Sequence, residues 1–298
     1  MTKIVDVFRS NRVRARQEAF ELMWDNLENS IWWNHYAELD QREKGIEKVR
    51  IQYDHYHPTL VSFQTAFTPT VLEIENAKIR EVLQFGAGRR LRSIYRAANK
   101  FADVAYPKRT DVATEDEQAD LDDALMLIYI GIPAFFDALS VASYRSVEPK
   151  KFDEKSADLF SKKYMHAIDL ALLHEEISPY ISWYKRLTQQ LRHRFAHRIP
   201  PYVPSAIHGQ RDTRKYEELQ GEYRLAMEEQ RFDDLSCIMR QQAELGKFCS
   251  MIYFIEDDAQ MHLQSTVLND LLTFQFVALT LFERLLELPG FYENSSSA

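Results

Sequence analysis

Residues 121–139 read LDDALMLIYIGIPAFFDAL. Leu121, Ala124, Leu125, Ile128, Ile132, Phe135, Phe136 and Leu139 recur at three- and four-residue intervals, the repeat of one helical face. Met126, Leu127 and Ile130 fill the opposite face, and a helix apolar all round belongs at the centre of a fold. Thr114 stands ahead of it as an N-cap. Glu115 and Glu117 follow where the helix dipole is positive. Pro133 and Asp137 interrupt the apolar run Leu125 to Leu139, so a core helix is expected here, too short to span a bilayer.

Similar patterns extend outward in both directions. Upstream, Phe20, Met23, Leu27 and Ile31 mark a first helix from Arg12 to about Gly45. Val49 to Thr68, with Tyr53, Tyr56, Val61 and Phe63 around Pro58, reads as a loop or short hairpin. Thr68-Pro69 opens another helical stretch, striped by Leu91, Ile94, Tyr95, Ala98 and Phe101. Tyr106-Pro107 through Asp116 is polar and acidic and serves as a linker. Downstream, Leu159 to Leu172 suggests a helix. Ser178-Pro179 starts the next one, with Tyr184, Leu187, Leu191 and Phe195 as its buried stripe. Pro200-Pro201 stops it. Arg211 to about Phe232 reads as a charged surface helix. Asp233 to Ile255 and His262 to Leu288 follow as two more. The expected fold is all-α: an antiparallel helical bundle over 115–288, additional N-terminal helices over 1–110 packed on it, and a flexible tail over 289–298.

Composition supports long helices, since the 298-residue chain carries only 8 Gly and 10 Pro. A net charge of -8 argues against a surface that binds polyanions everywhere, so any nucleic-acid site must be a local basic patch. Cys237 and Cys249 lack metal or redox spacing, and a reducing cytoplasm is expected. Met1 to Arg16 is basic without an apolar segment and does not read as a secretory signal. Neither a membrane partner nor a cofactor is expected.

One run carries chemistry: Arg192-His193-Arg194-Phe195-Ala196-His197 at the end of its helix. His193 and His197 are four apart and share a face. Arg192 and His197 are five apart and diverge by about 140° on an ideal helix. Arg192 is long enough to reach round, and the helix fails just past His197. Imidazole titrates near neutrality, while guanidinium keeps its charge. A base for the 2′-OH proton, an acid for the leaving oxygen and a cation at phosphorus together suffice to cleave RNA.

Arg192-His193-x-x-x-His197, preceded by Leu191 and followed by Arg198-Ile199-Pro200-Pro201, resembles the signature of the HEPN family. Tyr129 through Leu139 also resembles the first core helix of some members. The resemblance covers roughly Glu115 to Leu288. It implies an all-α, metal-independent endoribonuclease, often a toxin or antiviral effector, that cleaves RNA as a homodimer and can have an antitoxin partner. Arg192 would then stabilise the phosphate, His197 act as general acid/base, and His193 orient the cluster. The alternative is a non-catalytic helical RNA-binding or protein-interaction scaffold, with the cations simply suiting a helix C-terminus.

Other clusters weigh less. Zinc between His193 and His197 is disfavoured by Arg194, where a zinc helix carries Glu. His166, Asp169 and His174 read as surface decoration, and His35, His55 and His57 as loop packing. Asp257, Asp258 and His262 fit a helix boundary. Gly86-Ala87-Gly88, followed by Arg89, Arg90 and Arg92, has two glycines that could cradle phosphate but no P-loop spacing. A basic helix face is the stronger interpretation. If it lies near Arg192, Arg89, Arg90 and Arg92 become RNA-backbone contacts together with Arg194 and Arg198.

Overall fold

A computed structural model describes residues 60–61, 63–106, 109–257 and 259–291. The expected helix from Arg12 to Gly45, and His35, His55 and His57, lie outside the described residues. The fold is all-α, with one small two-stranded sheet among the described residues.

Residues 60–61 and 63–72 are helical, and up to Thr68 a loop or hairpin was expected. Phe63 and Phe67 explain the difference: four apart, both fully enclosed, they demand one helical face. The chain breaks after this helix and restarts at Asn76, not at Thr68. The Asn76 side chain accepts from the Lys78 and Ile79 amides and caps α1 (Ala77–Glu81). A π-helical turn, Val82–Ala87, carries α1 without interruption into α2 (Gly88–Val104). Arg109 then pins the linker. Its almost wholly enclosed guanidinium pairs with Glu117 at 2.7 Å.

Helix α3 (Glu115–Val147) begins at a capping box between Thr114 and Glu117, the start expected from sequence. Arg109 first, and the Thr114 amide second, hold the Glu117 carboxyl down at about 2. The first half of α3 is amphipathic, with Met126 and Leu127 exposed; only the second half is buried nearly all round. The central helix is instead α10 (Leu263–Leu285), which buries almost every side chain. Both helices are long and apolar enough to cross a membrane by length and composition. Within the fold, however, 61% and 89% of their apolar windows are buried. The 33-residue length of α3 corrects the shorter span read from Leu125 to Leu139.

Between them the chain turns often. The single helix expected around Leu159 to Leu172 is two short ones, α4 (Lys162–Ala167) and α5 (Ala171–Ile177). They are divided where Asp169 takes a left-handed φ of 60°. Ser178 caps nothing. Helix α5 runs through a 3-10 turn, Ser178–Tyr180, into α6 (Ile181–Arg186). A π turn, Leu187–Arg192, and α7 (His193–His197) complete that rod. Next come two surface helices, α8 (Gln210–Glu228) and α9 (Phe232–Ala243). The helix expected to continue to Ile255 gives way to β1 (Met251–Phe254), paired antiparallel with β2 (Ala259–His262). Pro289–Phe291, expected as the start of the tail, forms a 3-10 turn with Phe291 fully buried.

One apolar core joins residues 60–105 to α3 and α10. Its centre is aromatic. Phe135 of α3 meets Phe63 at 6.0 Å and Phe274 of α10 at 5.2 Å, while Phe67 meets Phe282 at 4.7 Å. Beside this cluster lies Asp270, fully buried on α10. It accepts from Tyr129 of α3 at 3.1 Å, from Trp183 Nε1 at 2.9 Å and from Arg186, both of α6. Replacing Asp270 by Ala strands Arg186 and two neutral donors, so we expect a loss of about 3–5 kcal/mol, read from the urea midpoint.

His262 caps α10 by accepting from the Ser265 amide at 3.3 Å through Nδ1, a role that only the neutral ring can fill. Burial pushes its pKa down to about 4. The unfolded chain takes up this proton near 6.5. The cap's contribution is therefore complete above that value and lost as pH falls from there towards 4. We expect His262→Asn, which keeps a capping oxygen, to remove about 2 kcal/mol of the acid destabilisation measured by urea unfolding at pH 5.

Candidate functional site

The Arg-His run follows a turn of helix that is locally widened and underwound. The His193 amide donates to the Thr188 carbonyl, an i→i+5 bond that closes the π turn. Leu187, Leu191 and Phe195 recur every four residues, a spacing that drifts by about 40° per step on an α-helix. A wider turn keeps them facing the core, with Leu187 and Leu191 enclosed and Phe195 stacked on Tyr129 at 5.7 Å. The same signature precedes α2. Ile79, Leu83, Ala87 and Leu91 are four apart and fully buried, and the π turn Val82–Ala87 falls within them. Downstream, the helix ends after His197, and Arg198 is extended, as the Pro200-Pro201 stop requires.

His193 and His197 share an exposed face, with ring centroids 5.4 Å apart. Arg192 points elsewhere, to the Asp137 carboxylate of α3 at 3.2 Å. Among the described residues, no hydrogen bond, ion pair or ring contact joins Arg192 to either histidine. Arg194 lies over the Phe254 ring at 5.0 Å, and Arg198 meets Glu256 at 3.4 Å. These two cations therefore lie against β1 and the turn after it.

The second basic run follows a helical stretch that packs on α3. Gly86-Ala87-Gly88 is not a phosphate-cradling loop; it lies inside the continuous helix. Gly86 is there for close approach, since a Cβ on it would sit 3.1 Å from the Ala138 methyl. Arg90 donates to the Gly86 carbonyl at 3.0 Å. Arg89 lies over the Phe85 ring at 5.0 Å, and Arg92 is exposed. The two π turns thus bracket α3 at adjacent residues.

Asp137 is the partner of Arg192 that sequence reasoning missed. Its signal was a lone carboxylate within an apolar run. Partial burial raises its pKa, opposed by Arg192 and then by Arg90, while Asp158 reinforces the rise. Tyr184, stacked on Phe160 at 3.6 Å, lines the same spot. Its hydroxyl is pushed up by burial and then by Asp137 and Asp158. The Arg192–Asp137 pair is 40% and 53% exposed, so its contribution to stability is on the order of 0–1 kcal/mol.

His166 and Asp169 are exposed, and His174 is half-buried. Among the described residues, no three His, Cys, Asp or Glu side chains gather to hold a metal ion.

The Gly86 contact gives a direct test of this geometry. We expect Gly86→Val to cost about 1–3 kcal/mol by overpacking against α3. Ala138→Gly should relieve part of that cost, so that the double variant's urea midpoint exceeds the sum of the single effects. No protein-family model matches the chain, and no curated protein or solved structure was found to be similar to it.

Proposed function

We propose that the chain is a metal-independent endoribonuclease of the HEPN type. The observation that carries this reading is the exposed His193–His197 pair at a helix end, one residue from an arginine. His197 takes the 2′-OH proton as that oxygen attacks phosphorus. The bond from phosphorus to the 5′ oxygen breaks, a proton is returned to the leaving oxygen, and a 2′,3′-cyclic phosphate remains. Arg192 stabilises the crowded phosphorus, and His193 orients the ring beside it. Arg90, Arg89 and Arg92 supply backbone contacts along α2, and Arg194 and Arg198 a second set. The resemblance further suggests two copies lining one cleft, a cytoplasmic setting in defence or toxicity, and control by an antitoxin partner.

One observation favours the second reading, a non-catalytic RNA-binding or protein-interaction scaffold. Arg192 and Arg198 both rest on acidic neighbours, Asp137 and Glu256.

Cleavage of a labelled single-stranded RNA in the presence of EDTA separates the two. We expect His197→Ala to slow cleavage at least ~100-fold and a 2′-deoxy version of the substrate to survive intact. Equal cleavage by wild type and His197→Ala would sink the nuclease reading. Binding without cleavage by either protein would favour the scaffold.

A further inference from the structure

We propose that Tyr202 is a stacking platform for an unpaired base, so that the Arg-His site takes single-stranded RNA in preference to duplex. The inference rests on the reading of that site as an RNA-cleaving one and names its class of substrate.

The platform is built by the chain just past the histidines. The helix ends at His197 and Arg198 is extended. Five residues after His197, the Tyr202 amide donates to the Tyr253 carbonyl at 3.1 Å, and the Tyr253 amide donates back at 2.8 Å. Arg194 over Phe254 and Arg198 on Glu256 hold the intervening stretch against β1 and the turn after it. In extended chain, neighbouring side chains take opposite faces. Pro201 and Val203 are buried, which turns Tyr202 outward; Ile252 and Phe254 are buried, which does the same for Tyr253. The two rings meet at 5.9 Å with their planes 33° apart. Tyr202 is thus propped by a neighbour and still 41% exposed.

The surroundings fit a nucleic-acid strand. His197, Arg198, Ile199 and Pro200 are exposed in succession, so open surface leads from the histidine pair towards Tyr202. Even fully extended, the chain places the Cα atoms of His197 and Tyr202 at most ~17 Å apart, a span that a few nucleotides cover. A polyanion meets the Arg198 guanidinium and the imidazoles on this strip, whereas an apolar protein surface would strip water from them without compensation. A base offers its π face to a side chain only when it is out of a duplex. A rigid ring held outward beside cations therefore selects unpaired strands, and with little regard to which base they carry.

The test is fluorescence anisotropy on the full chain with three labelled probes: a single-stranded 2′-O-methyl RNA octamer, the same octamer annealed to its complement, and an octamer of abasic sugar-phosphate. We expect wild type to bind the single strand more tightly than the duplex. Tyr202→Ala should weaken the single strand about 5- to 100-fold and leave the abasic strand unchanged. Tyr202→Phe keeps the π face and should bind as wild type does. Both variants retain the backbone bonds to Tyr253, so their urea midpoints should stay at the wild-type value.

Failure of wild type to bind the octamer would overturn the platform and leave this face to a protein partner, as would equal binding by wild type and Tyr202→Ala. A loss from Tyr202→Phe as large as that from Tyr202→Ala, or an equal loss on the abasic strand, would reduce the ring to a prop for β1 and overturn it too. Cleavage of unmodified RNA by wild type and His197→Ala is read separately. Stacking without cleavage leaves the platform standing and removes the nuclease. Cleavage that depends on His197, with octamer binding indifferent to Tyr202, does the reverse.

Discussion

A single buried carboxylate organises the second half of this protein. Asp270 lies in the most enclosed helix and is itself fully buried. Burying a charge is costly unless it is paired and hydrogen-bonded. Here it gathers the Tyr129 hydroxyl, the Trp183 indole and the Arg186 guanidinium, which come from two other helices. The Tyr129 hydroxyl is pushed up by burial and by Asp270, so it remains a donor. Arg186 is the last residue before the wide turn, and Phe195 stacks on the same Tyr129. The helix carrying the Arg-His run is therefore tied to the core on either side of that turn.

The two wide turns follow from packing and not from composition. Both lie where apolar residues recur every four positions, with Leu83 and Ala87 enclosed in the first and Leu187 and Leu191 in the second. An α-helix rotates such a series by about 40° per step. Helix α3 tolerates the same drift, burying Ala124, Ile128, Ile132 and Phe136 without opening. Opening one turn shifts the residues that follow it to a new phase. The first opening brings Gly86 against Ala138 and the second ends at Arg192 on Asp137, so both meet adjacent residues of α3.

Most helices were legible in the sequence because local periodicity and caps encode them. The Thr114 capping box and the proline stop after His197 were readable for that reason. The four-residue spacing was equally visible but reads as an ordinary stripe, as it is in α3. β1 escaped because Met251 to Phe254 is a short apolar run, which by itself fits helix or strand. Short α4 and α5 escaped because Asp169 breaks them without any glycine or proline. At the candidate site, the helix end and the histidine pair follow from spacing alone. The partnership of Arg192 with Asp137 does not, because it joins two helices through tertiary packing.

The helical hairpin α8–α9 has a small core of its own, formed by Leu219, Ala226 and Ile238. It leaves the main body through a narrow neck, where Ile207 and Lys247 exchange backbone hydrogen bonds of 2.8 and 3.0 Å. Gly246 closes the neck in a left-handed conformation, φ 98°, where a side chain would strike His208. A unit joined so narrowly is a separate cooperative element, able to open and close on its own schedule. Its amides should exchange with solvent while those of α3 and α10 stay protected. Selection could also lengthen, shorten or replace the hairpin without disturbing the helix end on which the histidines sit.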